Sequence, residues 1–300
     1  MTAPLRGQLK LDEPMARHTS WKVGGPARRF YQPADLADLQ VFMVQLAEAE
    51  PVYFTGLGSN LLVRDGGFNG TVVCLQPGLK AIDVLQQTDN TVSFQVEAGA
   101  SCAKVAKFGN QHGLLHSEFF AGIPGTIGGA LAMNAGAFGG ETWSYVQQVQ
   151  TVDRQGRLHT RGKQDYQISY RHLSARQTCE EWFVSAEFCF DRDDQRDGKH
   201  LVKNLLAKRA SSQPTGVLSC GSVFTNPEGD HAARLIEAAG LKGYRIGGAH
   251  ISEKHANFFL NDQQATAADL EQLIRHAQDT VLQQFGVQLH PEVKTIGEAA

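Results

Sequence analysis

The sequence predicts an α+β protein whose first unit is of the α/β kind, and three observations carry the prediction. The first third alternates helix and strand signals, the middle third holds alternating runs separated by turn residues, and the last third sets two helical patterns around one strand-like run. In DLADLQVFMVQLAEAE (35–50) apolar residues recur at helical spacing, whereas VYFT (52–55) and TVVCL (71–75) are short β-rich runs. TVSFQVEAG (91–99) alternates Val92, Phe94 and Val96 as a half-buried strand does, and a helix opened by Ser101 and closed near Gly113 follows it. VQQVQTVDRQGRLHT predicts two strands around a turn at Asp153 to Arg157, and WFVSAEFCFD (182–191) predicts another.

The sharpest shift in composition is DRDDQRDGKH (191–200), after which a helix through LVKNLLAKRA leads to SSQPTG. The remaining residues predict a helix ending at Gly240, a strand at NFFLN (257–261), and an amphipathic helix from Ala267 to about Phe285 stopped by Gly286. The expected division is 1–78, 79–197 and 198–300.

Composition narrows the function. With 42% hydrophobic and 20% charged residues the chain is an ordinary soluble globular mixture. The formal charge is −3 and no basic run exceeds a dipeptide such as Arg28-Arg29, so nucleic acid is not expected as a partner. No apolar run reaches about eighteen residues and MTAPLRGQLKLDEPMARHTSW lacks the apolar core of a signal peptide, so no membrane insertion and a cytoplasmic protein are expected. A monomer is the expected state. The 5 cysteines form no C-x-x-C pair and the 11 histidines no H-E-x-x-H, which points to reduced thiols and no metal.

The segment AGIPGTIGGALAMNAGAFGGE (121–141) is rich in glycine yet carries no charge before Glu141. Neither the G-x-G-x-x-G fingerprint nor a G-K-[ST] phosphate loop can be read in it. Because Ile123, Ile127, Leu131, Met133 and Phe138 require burial, it is expected to be an irregular wall around something flat or phosphorylated, not a linker. TGLGSNLLV (55–63) leaves the strand VYFT with Gly56 and Gly58 placed either for a plain β-turn or for a nest of N–H groups around an anion, with Ser59 and Asn60 as further donors.

Three polar positions interrupt their surroundings. Tyr170-Arg171 falls inside the β-like QISYRHL, where an exposed strand position is one reading. Ser222 in CGSVFTNP is not part of a G-x-S-x-G elbow, and Cys220 beside it is either a small buried residue or a reactive thiol. Glu292 in HPEV is either a capping or solvent group or something more specific.

Together TSWKVGGPA (19–27), GLGSNLLV (56–63), the glycine segment, YR (170–171), CGSVFTNP (220–227), HANFFLN (255–261) and PEV (291–293) resemble the UDP-N-acetylenolpyruvoylglucosamine reductase (MurB) family, in order and over almost the whole chain. The resemblance implies an FAD held between the first two domains in a vanillyl-alcohol-oxidase-like flavin fold, with an α+β third domain closing over a UDP-sugar. It places the catalytic residues on Arg171, Ser222 and Glu292. FAD contacts fall on Gly56, Leu57, Gly58, Ser59, Asn60 and Leu61. They continue on Gly122, Ile123, Pro124, Gly125, Thr126, Gly128 and Gly129, and on Asn134, Ala135 and Gly136. Substrate contacts fall on Tyr170, Arg209, Asn226, His255 and Asn257.

The implied reaction is ping-pong: NADPH reduces the flavin and leaves, and the enolpyruvyl ether then enters the same site, so no separate nicotinamide fingerprint is expected. The short interval from Ser222 to Glu292 resembles the family's shorter class, which commonly reads Y-R-x-S; here position 173 is Leu173. The rivals are a flavin oxidase of the same fold with another substrate, and a non-catalytic flavin or UDP-sugar binding module, neither of which needs Arg171, Ser222 and Glu292 together.

Overall fold

The computed structural model describes residues 4–178, 180–193 and 195–300, so Cys179 lies outside the described residues. The chain forms two compact units. One comprises the N-terminal segment up to Lys10, Arg29–Gly56 and Thr71–Ala207; the other comprises Leu11–Arg28, Leu57–Gly70 and Lys208–Ala300.

In the first unit, helix α1 (Leu36–Gln45) is capped by Asp35, whose side chain accepts from Asp38 N–H (2.9 Å). It is shorter than the expected 35–50. Glu50 precedes Pro51, which biases it toward extended backbone, and its buried carboxylate accepts from Thr71 Oγ1 at 2.8 Å beside the parallel pair Val52–Thr55 and Thr71–Cys74.

Asp38 is buried and accepts from Arg6 N–H (2.7 Å), Tyr31 Oη (2.6 Å) and Ala34 N–H (2.9 Å). Burial pushes its pKa up, but these donors outweigh burial and hold it below the ordinary carboxylate value. Because the folded value is the lower one, the contribution to stability is present above the unfolded pKa and is lost as pH falls through the folded one. Asp38→Ala is expected to destabilise by about 2–4 kcal/mol near neutral pH and to make the fall of stability toward acid shallower, measured as denaturant midpoints against pH.

The larger sheet of this unit is antiparallel throughout, in the order Leu158–Gly162, Val146–Asp153, Glu181–Asp191, Thr91–Glu97, Ile82–Gln87. The alternation at Val92, Phe94 and Val96 puts all three in the core, where Phe94 lies near Phe188 and Phe190 with ring centroids 5.7 and 6.0 Å away. Each such phenyl contributes about 1.5–3 kcal/mol on burial. Helix α2 (Cys102–Gln111), capped by Ser101, packs over this core.

The glycine segment is not wholly irregular. It contains helix α3 (Ile127–Met133), whose buried Ile127, Ala130 and Leu131 stand at helical spacing that the glycines concealed. Asn134, in the left-handed region, closes it. Tyr170 and Arg171 do not continue a strand either: Tyr166–Ser169 and His172–Ala175 pair as a hairpin, and these two residues form its turn. Leu173 pairs with Ile168 there and packs against the same apolar cluster, which accounts for an apolar residue at that position.

Helix α4 (Gly198–Ser212) carries the chain from the first unit into the second. In the second unit, helix α5 (Ala232–Ala238) and helix α6 (Ala267–Phe285) cover an antiparallel sheet of Arg245–Ile246, Ala249–Ile251 and Phe259–Asn261. Helix α6 begins with a capping box between Thr266 and Asp269 and ends at Gly286, φ 68°. Its stripe Leu270, Leu273, Ile274, Ala277 and Val281 is buried. Leu61–Val63 pairs in parallel with Lys294–Ile296, which joins the Gly58 loop to the chain just after Glu292. No helix among the described residues is long and apolar enough to cross a membrane.

Candidate active site

In the second unit, Ser222 is half-buried in a short extended segment that two neighbours grip through the main chain. On one side Ser222 bridges Phe258, and Val223 N–H donates to the Asn257 carbonyl (2.9 Å). On the other, Phe224 bridges Pro291, Thr225 N–H donates to the His290 carbonyl (3.0 Å), and Glu292 N–H donates to the Val223 carbonyl (2.7 Å). Ser222 and Glu292 are thus fastened to each other through Val223. Asn60 extends the connection, since its Nδ2 donates to the Glu292 carbonyl (3.0 Å) and its own carbonyl accepts from Lys294 N–H (3.1 Å).

The Gly58 loop needs its glycine. Gly58 has φ 63°, and a Cβ there would come within 2.9 Å of the His18 carbonyl carbon, while its carbonyl accepts from Ser20 N–H (3.1 Å). Cys220 sits beneath, with Sγ 3.9 Å from the Gly58 carbonyl oxygen and 3.7 Å from that of Leu61. Burial pushes this thiol up to about 12, so it stays protonated, as befits a packing residue and not a nucleophile.

The UDP-sugar candidates are placed differently from one another. His255 is half-buried and its Nδ1 accepts from Asn257 N–H (3.3 Å); burial lowers its pKa and favours the neutral ring. Arg209 Nε donates to Gln213 Oε1 (2.8 Å), and burial lowers its pKa without removing the charge. Exposed Asn226 accepts the first N–H of α5, from Ala232 (3.1 Å). Asn257 is buried, and its carboxamide is bonded to the main chain of Phe224.

In the first unit, Arg171 occupies the left-handed region at φ 54°. Its Nη2 donates to the Gly136 carbonyl (2.6 Å), and its guanidinium carbon lies 5.3 Å from the Tyr170 ring centre. The hairpin turn is held from the glycine segment: buried Asn134 donates through Nδ2 to the Ser169 carbonyl (3.2 Å) and to Glu141 Oε2 (3.0 Å), while its Oδ1 accepts from Trp143 N–H (3.1 Å). The resemblance groups Asn134 with the cofactor contacts and gives Glu141 no role. The available signal was that Glu141 is the first charge after a long neutral stretch containing one buried amide.

Gly56 stands against Thr126, where a Cβ would lie 2.7 Å from Thr126 Cγ2 and closer still to Oγ1. Gly125 and Gly128 are occupied with main-chain partners, the carbonyl of Gly125 by Cys102 N–H (2.9 Å) and the N–H of Gly128 by the Ala98 carbonyl (2.8 Å). Gly129 is open: a Cβ would meet only Thr126 Oγ1 at 3.9 Å.

Residues 27–162 match the FAD binding domain model, which makes the chain an FAD-binding protein, and residues 213–296 match the model of the UDP-N-acetylenolpyruvoylglucosamine reductase C-terminal domain. The chain is 54% identical to the UDP-N-acetylenolpyruvoylglucosamine reductase of Alkalilimnicola ehrlichii over 98% of its length and 96% of that protein's. It is 53% identical to that of Methylococcus capsulatus, over 99% of its length and 96% of the relative's. Among solved structures, the UDP-N-acetylenolpyruvylglucosamine reductase (MurB) of Thermus caldophilus superposes with a TM-score of 0.77 at 27% identity, covering 97% of this chain and 99% of that one. The chain belongs to the UDP-N-acetylenolpyruvoylglucosamine reductase family.

The residues present fit FAD. Within the first unit, Gly129 offers open backbone that a side chain would fill, as close approach of a pyrophosphate requires. Gly56→Val pushes Thr126 aside, and is expected to lower FAD affinity at least about tenfold while the secondary structure persists. Flavin-to-protein ratio after gel filtration and far-ultraviolet circular dichroism report the two quantities; full flavin retention would contradict the assignment.

Proposed function

We infer that the chain catalyses its family's reaction, the NADPH-dependent reduction of UDP-N-acetylglucosamine enolpyruvate to UDP-N-acetylmuramate, and that Arg171, Ser222 and Glu292 carry it. The chemistry FAD supplies when bound is hydride transfer, from NADPH and then to the terminal carbon of the enolpyruvyl double bond. That addition consumes the double bond and leaves negative charge on the neighbouring carbon and its carboxylate. Arg171, permanently charged and forked, pairs with the carboxylate and stabilises this charge. Ser222 gives its hydroxyl proton to the carbon and recovers one from solvent. A hydroxyl is a weak acid, so its effectiveness depends on placement. Glu292 orients or polarises the same intermediate.

The observation that carries this reading is the joint fastening of Ser222 and Glu292 through Val223, in a chain of this family. FAD is assigned to residues 1–78 and 79–197, through Gly56 to Leu61, Gly122 to Thr126, Gly128, Gly129 and Asn134 to Gly136. The UDP-sugar is assigned to 198–300, through Arg209, Asn226 and His255, together with Tyr170. The enzyme is taken to act as a cytoplasmic monomer. Mass spectrometry of the turnover mixture tests the reading: each NADPH oxidised should yield a UDP-sugar heavier than the substrate by two hydrogens, and NADPH oxidation without that product would overturn it.

A further inference from the structure

Asn257 does something that a substrate contact has no need to do. Its side chain is 3% exposed, and both ends of its carboxamide are bonded to one residue: Oδ1 accepts from Phe224 N–H (2.9 Å) and Nδ2 donates to the Phe224 carbonyl (2.8 Å). Its own carbonyl accepts from Val223 N–H (2.9 Å). A carboxamide presents donor and acceptor side by side, as a neighbouring strand does, so Asn257 supplies both main-chain partners of buried Phe224 on this side. Three hydrogen bonds from one residue thereby fix Val223 and Phe224, directly after Ser222, while Glu292 N–H holds Val223 from the opposite side (2.7 Å).

We propose that Asn257 is a positioning residue for proton transfer, fixing the Ser222 hydroxyl against the carbon it protonates by clamping the Val223–Phe224 peptide, and that it does not itself bind the sugar nucleotide. The proposal rests on the reading of Ser222 as proton donor. Replacing the amide by an apolar group strands two buried main-chain groups of Phe224, and the segment carrying Ser222 relaxes to satisfy them. A displacement of about 1 Å at a reacting group costs on the order of 100-fold in rate.

The experiment compares Asn257→Leu, Asn257→Asp and Ser222→Ala in the full-length FAD-loaded protein. For Asn257→Leu, flavin reoxidation by the enolpyruvyl UDP-sugar is expected to slow by about 10- to 100-fold. Flavin reduction by NADPH, and the calorimetric Kd of the UDP-sugar for the oxidised protein, should stay within about twofold of wild type. Asn257→Asp adds a rescue that a bulk structural role would not produce. A neutral carboxyl has an acceptor and a donor in the same arrangement as the amide, so reoxidation should recover toward wild type, compared pH by pH, as pH falls from about 8 to about 5.

A Kd weakened in step with the rate would make Asn257 a substrate contact, and equal loss in both half-reactions would make it merely structural; either overturns the proposal, as does an unaltered rate. If Asn257→Leu does not fold, the acid rescue of Asn257→Asp decides alone, and its absence overturns the proposal. Normal reoxidation in Ser222→Ala would instead remove the proton-donor reading beneath it, whatever the Asn257 variants do.

Discussion

Ser222→Ala is expected to leave reduction of the flavin by NADPH within about twofold of wild type and to slow reoxidation by the enolpyruvyl UDP-sugar by about three orders of magnitude or more. The asymmetry follows from the bonds made in each half. Hydride transfer from NADPH requires no proton from the protein, whereas the enolpyruvyl carbon must receive one after hydride addition. The Ser222 side chain can be removed without disturbing its segment, because the segment is tied through the main chain of Ser222, Val223, Phe224 and Thr225, through the Thr225 hydroxyl on the His290 carbonyl, and through Asn257. Stopped-flow absorbance of the flavin measures both halves in one preparation. Equal slowing of both would show that the serine positions the cofactor or holds the fold.

Arg171→Lys is expected to slow reoxidation by about 100-fold, close to the 3 kcal/mol typical of losing one preorganised donor from a developing anion. The lysine keeps the charge but not the fork, so charge alone should not sustain the rate. Arg171→Gly separates chemistry from stability. It releases the left-handed strain at φ 54°, worth about 1–2 kcal/mol, and loses the hydrogen bond to the Gly136 carbonyl, worth about 1.5–3 kcal/mol. The released strain offsets part of that loss. Tm should therefore move by only a few degrees while reoxidation falls further than in the lysine variant. A large drop in Tm with a proportionate loss of rate would assign Arg171 to the fold.

Much of the secondary structure was legible because local chemistry announces it. Helix α6 starts at its Thr266–Asp269 box and stops at Gly286, the turn between Val146–Asp153 and Leu158–Gly162 falls at Asp153 to Arg157, and Ser101 caps α2. Where the signals conflicted, the reading missed. Gly128 and Gly129 argue against a helix, so the buried face of Ile127, Ala130 and Leu131 was overlooked. The turn at Tyr170-Arg171 lacks glycine or asparagine, and is held instead by the Gly136 carbonyl and Asn134, far off in sequence.

Strand Ile82–Gln87 is exposed along nearly its whole length and lies at a sheet edge, so it carries no alternation of burial to read. The site was legible as residue types and not as connections. Asn60, Asn134 and Asn257 looked alike as polar groups near ligands, yet their amides go to Glu292, to Ser169 and Glu141, and to Phe224. An amide chooses its partners in three dimensions, and nothing in its local sequence says which.

The most direct test of the central claim is an anaerobic two-step titration of the wild-type protein followed by flavin absorbance. An equimolar amount of NADPH should bleach the yellow protein, and an equimolar amount of the enolpyruvyl UDP-sugar should then restore the oxidised spectrum without oxygen. A flavin that bleaches and stays reduced after the UDP-sugar is added would contradict the account.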